Sequence, residues 1–205
     1  MRRPARILVG TGNPDKLSEI RDLLAPTGIV ILAPRDMGWN PEVTEDGATL
    51  AENALKKARA GAEATGLVTV ADDSGLFVDA LGEGPGIRSA RYAGSAQDPA
   101  ANRRKLLDAL RDVPEGERGA EFRAAVALVA PEEEERVFEG ACRGTITRRE
   151  RGEEGFGYDP VFRMEGGDRT FAELSAGEKH ERSHRGRALA ALRAFLAGLP
   201  PSRTA

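Results

Sequence analysis

Apolar positions along the chain fall into short runs and spaced stripes whose periods predict alternating strands and helices. Ile7-Leu8-Val9 is an apolar run of strand length that stops at Gly10. Beyond Thr11-Gly12, Asn13 suits a helix N-cap and Pro14 the first helical position, and Leu17, Ile20 and Leu24 recur at helical spacing. Ile29 to Leu32 predicts a second strand, so the chain opens β-α-β. Residues 33–48 carry Pro34, Gly38, Pro41 and Gly47 and read as a loop. Thr49 and Glu52 make a capping box that starts a helix at Leu50, and Gly66 ends it. Leu67 to Ala71 predicts a strand that stops at the acidic pair Asp72-Asp73, with Leu76-Phe77-Val78 extending it or pairing beside it.

A glycine-rich stretch from Gly82 to Gly94 follows, and Asp98-Pro99 caps a helix carrying Leu106, Leu107, Leu110 and Val113. Ala120, Phe122, Ala124, Val126 and Leu128 alternate with other residues, the pattern of a half-exposed strand. Pro131 and the glutamates after it make a turn, and Arg136 to Ile146 is expected to return antiparallel. The last helix is predicted over 187–196 on the apolar side of Leu189, Leu192, Phe195 and Leu196, and the tail 200–205 is expected to be disordered. Strands alternating with helices, with no repeat and no long linker, give the α/β class and a single domain over 1–205.

Composition narrows the functional classes. At 205 residues and 40% hydrophobic, the chain can bury a core, yet no apolar run reaches membrane-spanning length. The basic N-terminus is followed only by Ile7-Leu8-Val9, so no signal peptide is expected. A single cysteine, Cys142, excludes an intrachain disulfide and points to a reducing cytoplasm. A net charge of −3 argues against a nucleic-acid-binding surface, while a few converging cations can still serve a small phosphate ligand.

Five segments carry candidate chemistry. Thr11-Gly12-Asn13-Pro14-Asp15-Lys16 runs from a strand end into a helix N-terminus, where amides and the Lys16 ammonium can meet an oxyanion; an ordinary glycine turn with an Asn cap reads equally well. Asp72 and Asp73 repel unless a cation sits with them, and carboxylates suit Mg²⁺ arriving with phosphate oxygens; a solvated acidic turn is the alternative. Asn53 and Lys57 share a helix face, and Glu42, Glu45 and Asp46 upstream add further acids. Phe156-Gly157-Tyr158-Asp159 offers aromatic faces to a purine, or else a core plug and a turn. Ser183 suits an N-cap that leaves His184 and Arg185 in a helical first turn, against the macrodipole unless an anion or carbonyl faces them. With two histidines and one cysteine, a usual zinc site is excluded, and no nucleophile elbow is present.

In order, these segments resemble the inosine triphosphate pyrophosphatase family: Thr11-Gly12-Asn13 with Lys16, Glu52-Asn53-Ala54 with Lys57, Ala71 to Leu76, Pro85-Gly86 with Ser89 to Tyr92, Gly155 to Pro160, and Ser183 to Gly186. The set spans residues 11–186, nearly the whole chain. The resemblance implies an elongated α/β fold, with a mixed sheet and two lobes around a nucleotide-binding cleft, and a homodimer. It implies that Thr11, Gly12, Asn13, Pro14, Asp15 and Lys16 hold the triphosphate and that Asp73 is both general base and Mg²⁺ ligand. Asn53, Lys57, Ser74, Phe156, Gly157, Tyr158, Asp159, Lys179, His184 and Arg185 are the expected further contacts to substrate. Where many relatives carry two consecutive acids, this chain reads Thr44-Glu45-Asp46-Gly47, so the metal set is Asp73 with Glu45, Asp72 and Glu42 as candidates, Glu45 ahead of Glu42.

The reaction expected is hydrolysis of ITP, dITP or XTP to the monophosphate and pyrophosphate. Donors around His184 and Arg185 would favour a 6-oxo purine over adenine. The rival readings are a nucleotide sensor without turnover, a pyrophosphatase for other nucleotides, and a nucleic-acid-binding module, the last disfavoured by charge. Neither nucleic acid nor membrane is expected as a partner.

Overall fold

A computed structural model describes residues 1–131 and 135–201 of the chain. Glu132 to Glu134, part of the expected turn, and residues 202–205 of the expected disordered tail lie outside the described residues. Seven strands and five helices form a mixed α/β arrangement: β1 (Arg6–Val9), α1 (Pro14–Leu24), β2 (Val30–Leu32), α2 (Leu50–Thr65), β3 (Thr69–Val78), β4 (Pro85–Gly86), α3 (Pro99–Ala109), β5 (Gly119–Val129), β6 (Glu135–Ile146), β7 (Phe162–Met164), α4 (Ala176–Arg182) and α5 (His184–Gly198). Strands hydrogen-bond in the order β2-β1-β3-β5-β6-β7, with β4 on β3. β1 pairs parallel with both β2 and β3, whereas β3–β4 and β6–β7 are antiparallel.

The helix starts use the predicted cap residues, although the capping box expected at Thr49 does not close. Asn13 Oδ1 accepts from the amides of Asp15 (2.9 Å) and Lys16 (3.1 Å), with Pro14 opening α1. Thr49 Oγ1 accepts from Glu52 N at 3.1 Å, while the Glu52 carboxylate reaches past the cap to the amide of Ala48 at 2.8 Å. Gly66 closes α2 in the left-handed conformation, at φ 67°.

Contacts divide the chain into two compact units: Met1–Asp73 with Ala124–Gly140 and Arg185–Ala205, and Ser74–Arg123 with Ala141–His184. Each has its own core. In the first, Ile7 and Val9 of β1, Ile20 and Leu24 of α1, Val70 of β3, Val126 and Leu128 of β5, and Leu189, Leu192 and Leu196 of α5 are buried together. Pro200 O, in the predicted tail, accepts from Arg3 N at 2.9 Å. In the second, Phe122 meets Phe162 edge-on at 4.7 Å between centroids and Phe162 meets Phe171 at 4.9 Å, packed with Leu106, Leu110 and Cys142.

Three expectations are corrected. β3 does not stop at Asp72-Asp73 but runs through the pair to Val78, so Ser74 and Gly75 are strand residues, not a turn. A side chain at position 75 would strike the carbonyl of Gly86, so glycine is what permits β4 to lie against β3 there. β5 is half-exposed only over its first residues and is buried on both faces from Ala124 to Val129. The last helix starts at His184, three residues before the apolar stripe predicted but where the Ser183 cap placed it, and extended Ser183 separates it from α4, a short helix that the apolar pattern did not announce.

The buried Arg118 ties the second unit together. Its guanidinium donates to the carbonyls of Ile146 (2.7 Å), Thr147 (3.0 Å) and Leu110, so it joins the end of α3 to the end of β6 with a planar fork. Arg118→Lys, which keeps the charge and loses the fork, is expected to cost about 2–3 kcal/mol in urea unfolding, the magnitude of lost charge-assisted bonds over buried carbonyls. A change below about 0.5 kcal/mol would remove Arg118 from this role.

Candidate active site

Neighbouring residues of a strand point to opposite faces, and this rule decides where the acidic pair of β3 goes. Asp72 is met by Lys16 of α1, at 3.2 Å, and by Arg185 of α5, whose Nη2 and Nε lie 2.9 and 3.0 Å from Asp72 Oδ2. Asp73 is met from α2, with Lys57 Nζ 3.2 Å from its Oδ1 and Asn53 Nδ2 3.2 Å from its Oδ2. Lys57 also holds Glu45 at 2.8 Å, so one ammonium joins two carboxylates.

The loop before α2 is pinned by the same asparagine. Asn53 Oδ1 accepts from Gly47 N at 2.8 Å, and a Cβ at position 47 would stand 2.7 Å from that oxygen. Glycine there lets the Glu45 segment close on Asn53. Of the three upstream acids, Glu45 is brought near Asp73 by Lys57, Asp46 pairs with Lys56, and Glu42 lines a cavity of about 780 Å³ bordered also by Thr11, Gly12, Asn13, Pro14 and Trp39.

Burial and charge drive the two aspartates apart. Asp72 is desolvated, which alone would raise its pKa, but Lys16, Arg185 and Lys57 outweigh this and hold it well below the usual carboxylate range. Asp73 is raised, first by burial and then by Glu45 and Asp72, against the pull of Lys57 and Lys16. Lys57 keeps its proton more firmly than usual: burial opposes it, and Asp73, Asp72 and Glu45 together prevail. Lys16 is lowered by burial and by Lys57 and Arg185, with Asp72 opposing. Two adjacent carboxyls with opposed shifts suit a permanent counter-ion and a proton acceptor.

Other expected contacts take different places. The amides of Asp15 and Lys16 are bonded to the Asn13 cap oxygen, and the amide of Asn13 is bonded to Thr11 Oγ1 at 3.2 Å. The Lys16 ammonium of this segment lies 3.2 Å from Asp72 Oδ2. Arg185 is buried and committed to Asp72 and, through Nη1 at 2.7 Å, to Glu19. His184 is buried with its ring stacked on Phe122, centroids 4.6 Å apart. Ser74 follows Asp73 on β3, half-buried.

Within the second unit, Phe156 and Tyr158 part company. Tyr158 is buried in the core, its hydroxyl donating to Ser89 O at 2.8 Å, so the paired aromatic face expected from the sequence reduces to half-buried Phe156. Asp159 Oδ2 accepts from Phe156 N (2.8 Å) and from Lys179 Nζ (2.7 Å), and that ammonium lies 4.7 Å from the Phe156 ring centroid. Asp159 therefore shapes the loop, and left-handed Gly155 and Gly157 flank the ring. Sequence reasoning missed Glu19, whose only signal was its place one helical turn after Lys16.

Hard oxygen donors at Asp73 and Glu45, both drawn to Lys57, form a donor pair that fits Mg²⁺, whereas Asp72, on the other face of β3, stands outside it. Among the described residues, no cluster of three or more His, Cys, Asp or Glu side chains stands ready to hold a metal alone. Such a set matches a cation that shares its shell with substrate oxygens.

Fold and charge cluster together define an α/β protein whose buried acids and lysines suit polyphosphate chemistry. More particularly, the Ham1 family model matches residues 7–195, and the chain belongs to that family. It is 52% identical over 198 residues to the dITP/XTP pyrophosphatase of Nocardia farcinica, covering 95% of this chain and 96% of that one. A structure of a HAM1 protein from Coxiella burnetii matches with a TM-score of 0.84 at 39% identity, over 94% of this chain and 98% of that one. The nucleoside-triphosphatase / dITP/XTP pyrophosphatase of Mycobacterium abscessus matches at 0.73 with 51% identity, over 91% and 97%. The family resemblance drawn from the ordered motifs is thus borne out.

Removing the Asp72 carboxylate leaves Lys16 and Arg185 facing each other across a buried space. Asp72→Asn is expected to lower unfolding free energy by about 3–5 kcal/mol in urea titration, the cost of breaking a buried pair from one side. Wild-type stability in that variant would mean that the cation pair needs no counter-ion.

Proposed function

We propose that this chain hydrolyses non-standard purine nucleoside triphosphates, dITP, XTP and ITP, to the monophosphate and pyrophosphate. The observation that carries the reading is the divided acid pair: Asp72 neutralised by Lys16 and Arg185, and Asp73 raised beside Lys57 and Glu45. Relatives named dITP/XTP pyrophosphatase that align over nine-tenths of the chain support the substrate class.

Asp73 and Glu45 would hold Mg²⁺, which supplies Lewis-acid charge to the triphosphate when bound. Asp73 takes the proton of the attacking water, in the role of general base. Asn53 fixes the rotamer of that carboxylate by donating to its Oδ2. Lys57 and Lys16 neutralise charge on the departing pyrophosphate. Phe156 stacks on the purine, with Lys179 and Asp159 fixing the ring and its loop. The water oxygen ends on phosphorus, the anhydride bond breaks, and no covalent enzyme intermediate is needed. The same reading includes a homodimer, as the family resemblance implies, and a cytoplasmic location, which the single cysteine, Cys142, suits. Among the described residues, no helix is long and apolar enough to cross a membrane.

The test is product analysis for dITP, XTP, ITP, GTP and ATP, with Mg²⁺ and with EDTA. Pyrophosphate from the first three, abolished by EDTA and scarce from GTP and ATP, is the expected result. Orthophosphate as product would move the cut and overturn the mechanism, and dITP binding without any product would favour a sensor. Asp73→Asn is expected to fold and to lose at least ~10²-fold in kcat, the lower end for a lost acid–base group. Near-normal turnover would sink the assignment of the base.

A further inference from the structure

The Phe156 loop is constrained by more than its own motif. Gly155 and Gly157 sit at φ 73° and 62°, and glycine peptides in that region rotate at little cost, so the setting of the ring between them must be imposed from outside. Asp159 fixes the amide of Phe156, and the Tyr158 hydroxyl anchors the following turn on Ser89 O. Neither holds the peptide between Gly157 and Tyr158. A third tether does. Arg103 of α3, which belongs to none of the motifs, donates from Nη1 to the Gly157 carbonyl at 2.8 Å across 54 positions of sequence. Its Nε lies 3.0 Å from Glu150 Oε1, and its side chain is only 16% exposed.

We propose that Arg103 is a positioning residue for recognition of the nucleotide base: by holding the Gly157 peptide in one orientation, it sets the angle at which Phe156 meets a purine. The inference rests on the reading of Phe156 as the base platform. The planar guanidinium aims a fixed N–H at the Gly157 carbonyl while its charge pairs with Glu150 without a hydrogen bond, which an ammonium on a flexible stem does not reproduce. Because Arg103 touches the loop and not the phosphate-side cluster, its loss is expected to weaken substrate binding while leaving the chemical step intact.

The test is a double-mutant cycle on full-length protein, with dITP as substrate and inorganic tripolyphosphate as a competitive probe of the phosphate-side residues alone. Arg103→Ala is expected to raise KM about tenfold with kcat within about twofold, the scale of one charge-assisted hydrogen bond. Arg103→Lys is expected to show a similar rise, and inhibition by tripolyphosphate should be unchanged in both, which also reports that the fold is intact. In a Phe156→Ala background, the Arg103 substitution should add almost nothing, whereas two independent roles would multiply. If Phe156→Ala raises KM but Arg103→Ala does not, or if the two effects multiply, Arg103 is not the positioning residue and the platform stands. If Phe156→Ala leaves KM unchanged, the platform itself falls, and the inference with it.

Discussion

Two neighbouring carboxylates on one buried strand are tolerable only if each finds its own cations, and much of the candidate site answers that constraint. Strand geometry sends Asp72 and Asp73 to opposite faces, so a single dipeptide draws partners from both sides. α1 and α5 supply Lys16 and Arg185 to one carboxylate, and α2 supplies Lys57 and Asn53 to the other. Without the split, burial would push both groups toward protonation and the site would lose its charge. With it, Asp72 remains an anion while Asp73 becomes a better proton acceptor.

Supporting residues extend this division outward. Glu19 holds the far side of the Arg185 guanidinium, so the cation facing Asp72 is itself balanced. Asn53 bonds Asp73 with one end of its amide and the Gly47 backbone with the other, which links the acid of β3 to the loop carrying Glu45. The Phe156 loop is built on the same logic, with Asp159 bonded to an amide and to a lysine. In both places a buried polar group is satisfied twice, and that double use fixes one geometry.

Much of this was legible in the chain. Cap residues announced α1, α2 and α3, because capping is a local matter between neighbours. The ordered motifs identified the family and singled out Asp73, Lys16 and Lys57, and the structure brings the two lysines into ion pairs with the acidic pair. What the sequence concealed was non-local. An acidic pair followed by Ser-Gly reads as a turn, and only cations arriving from distant helices allow a strand to continue through it. Tyr158 reads as a partner for Phe156 until the core around Leu76 and Phe162 claims its ring. Arg185 reads as a substrate contact, yet Asp72 lies 113 positions away and no local pattern reports the pair. α4 escaped notice because seven residues leave almost no apolar period to detect, although its Ser175 and Glu178 form a capping box.

The most direct test of the central claim is to follow the side-chain carboxyls of aspartate by carbon-13 NMR against pH, with Asp72→Asn and Asp73→Asn used to assign the two signals. The account predicts that Asp72 stays ionised through the range in which ordinary aspartates titrate, while Asp73 takes up its proton at a higher pH than they do. Two signals that titrate together in the ordinary range, or in the reverse order, would contradict it and leave the chain without a designated base.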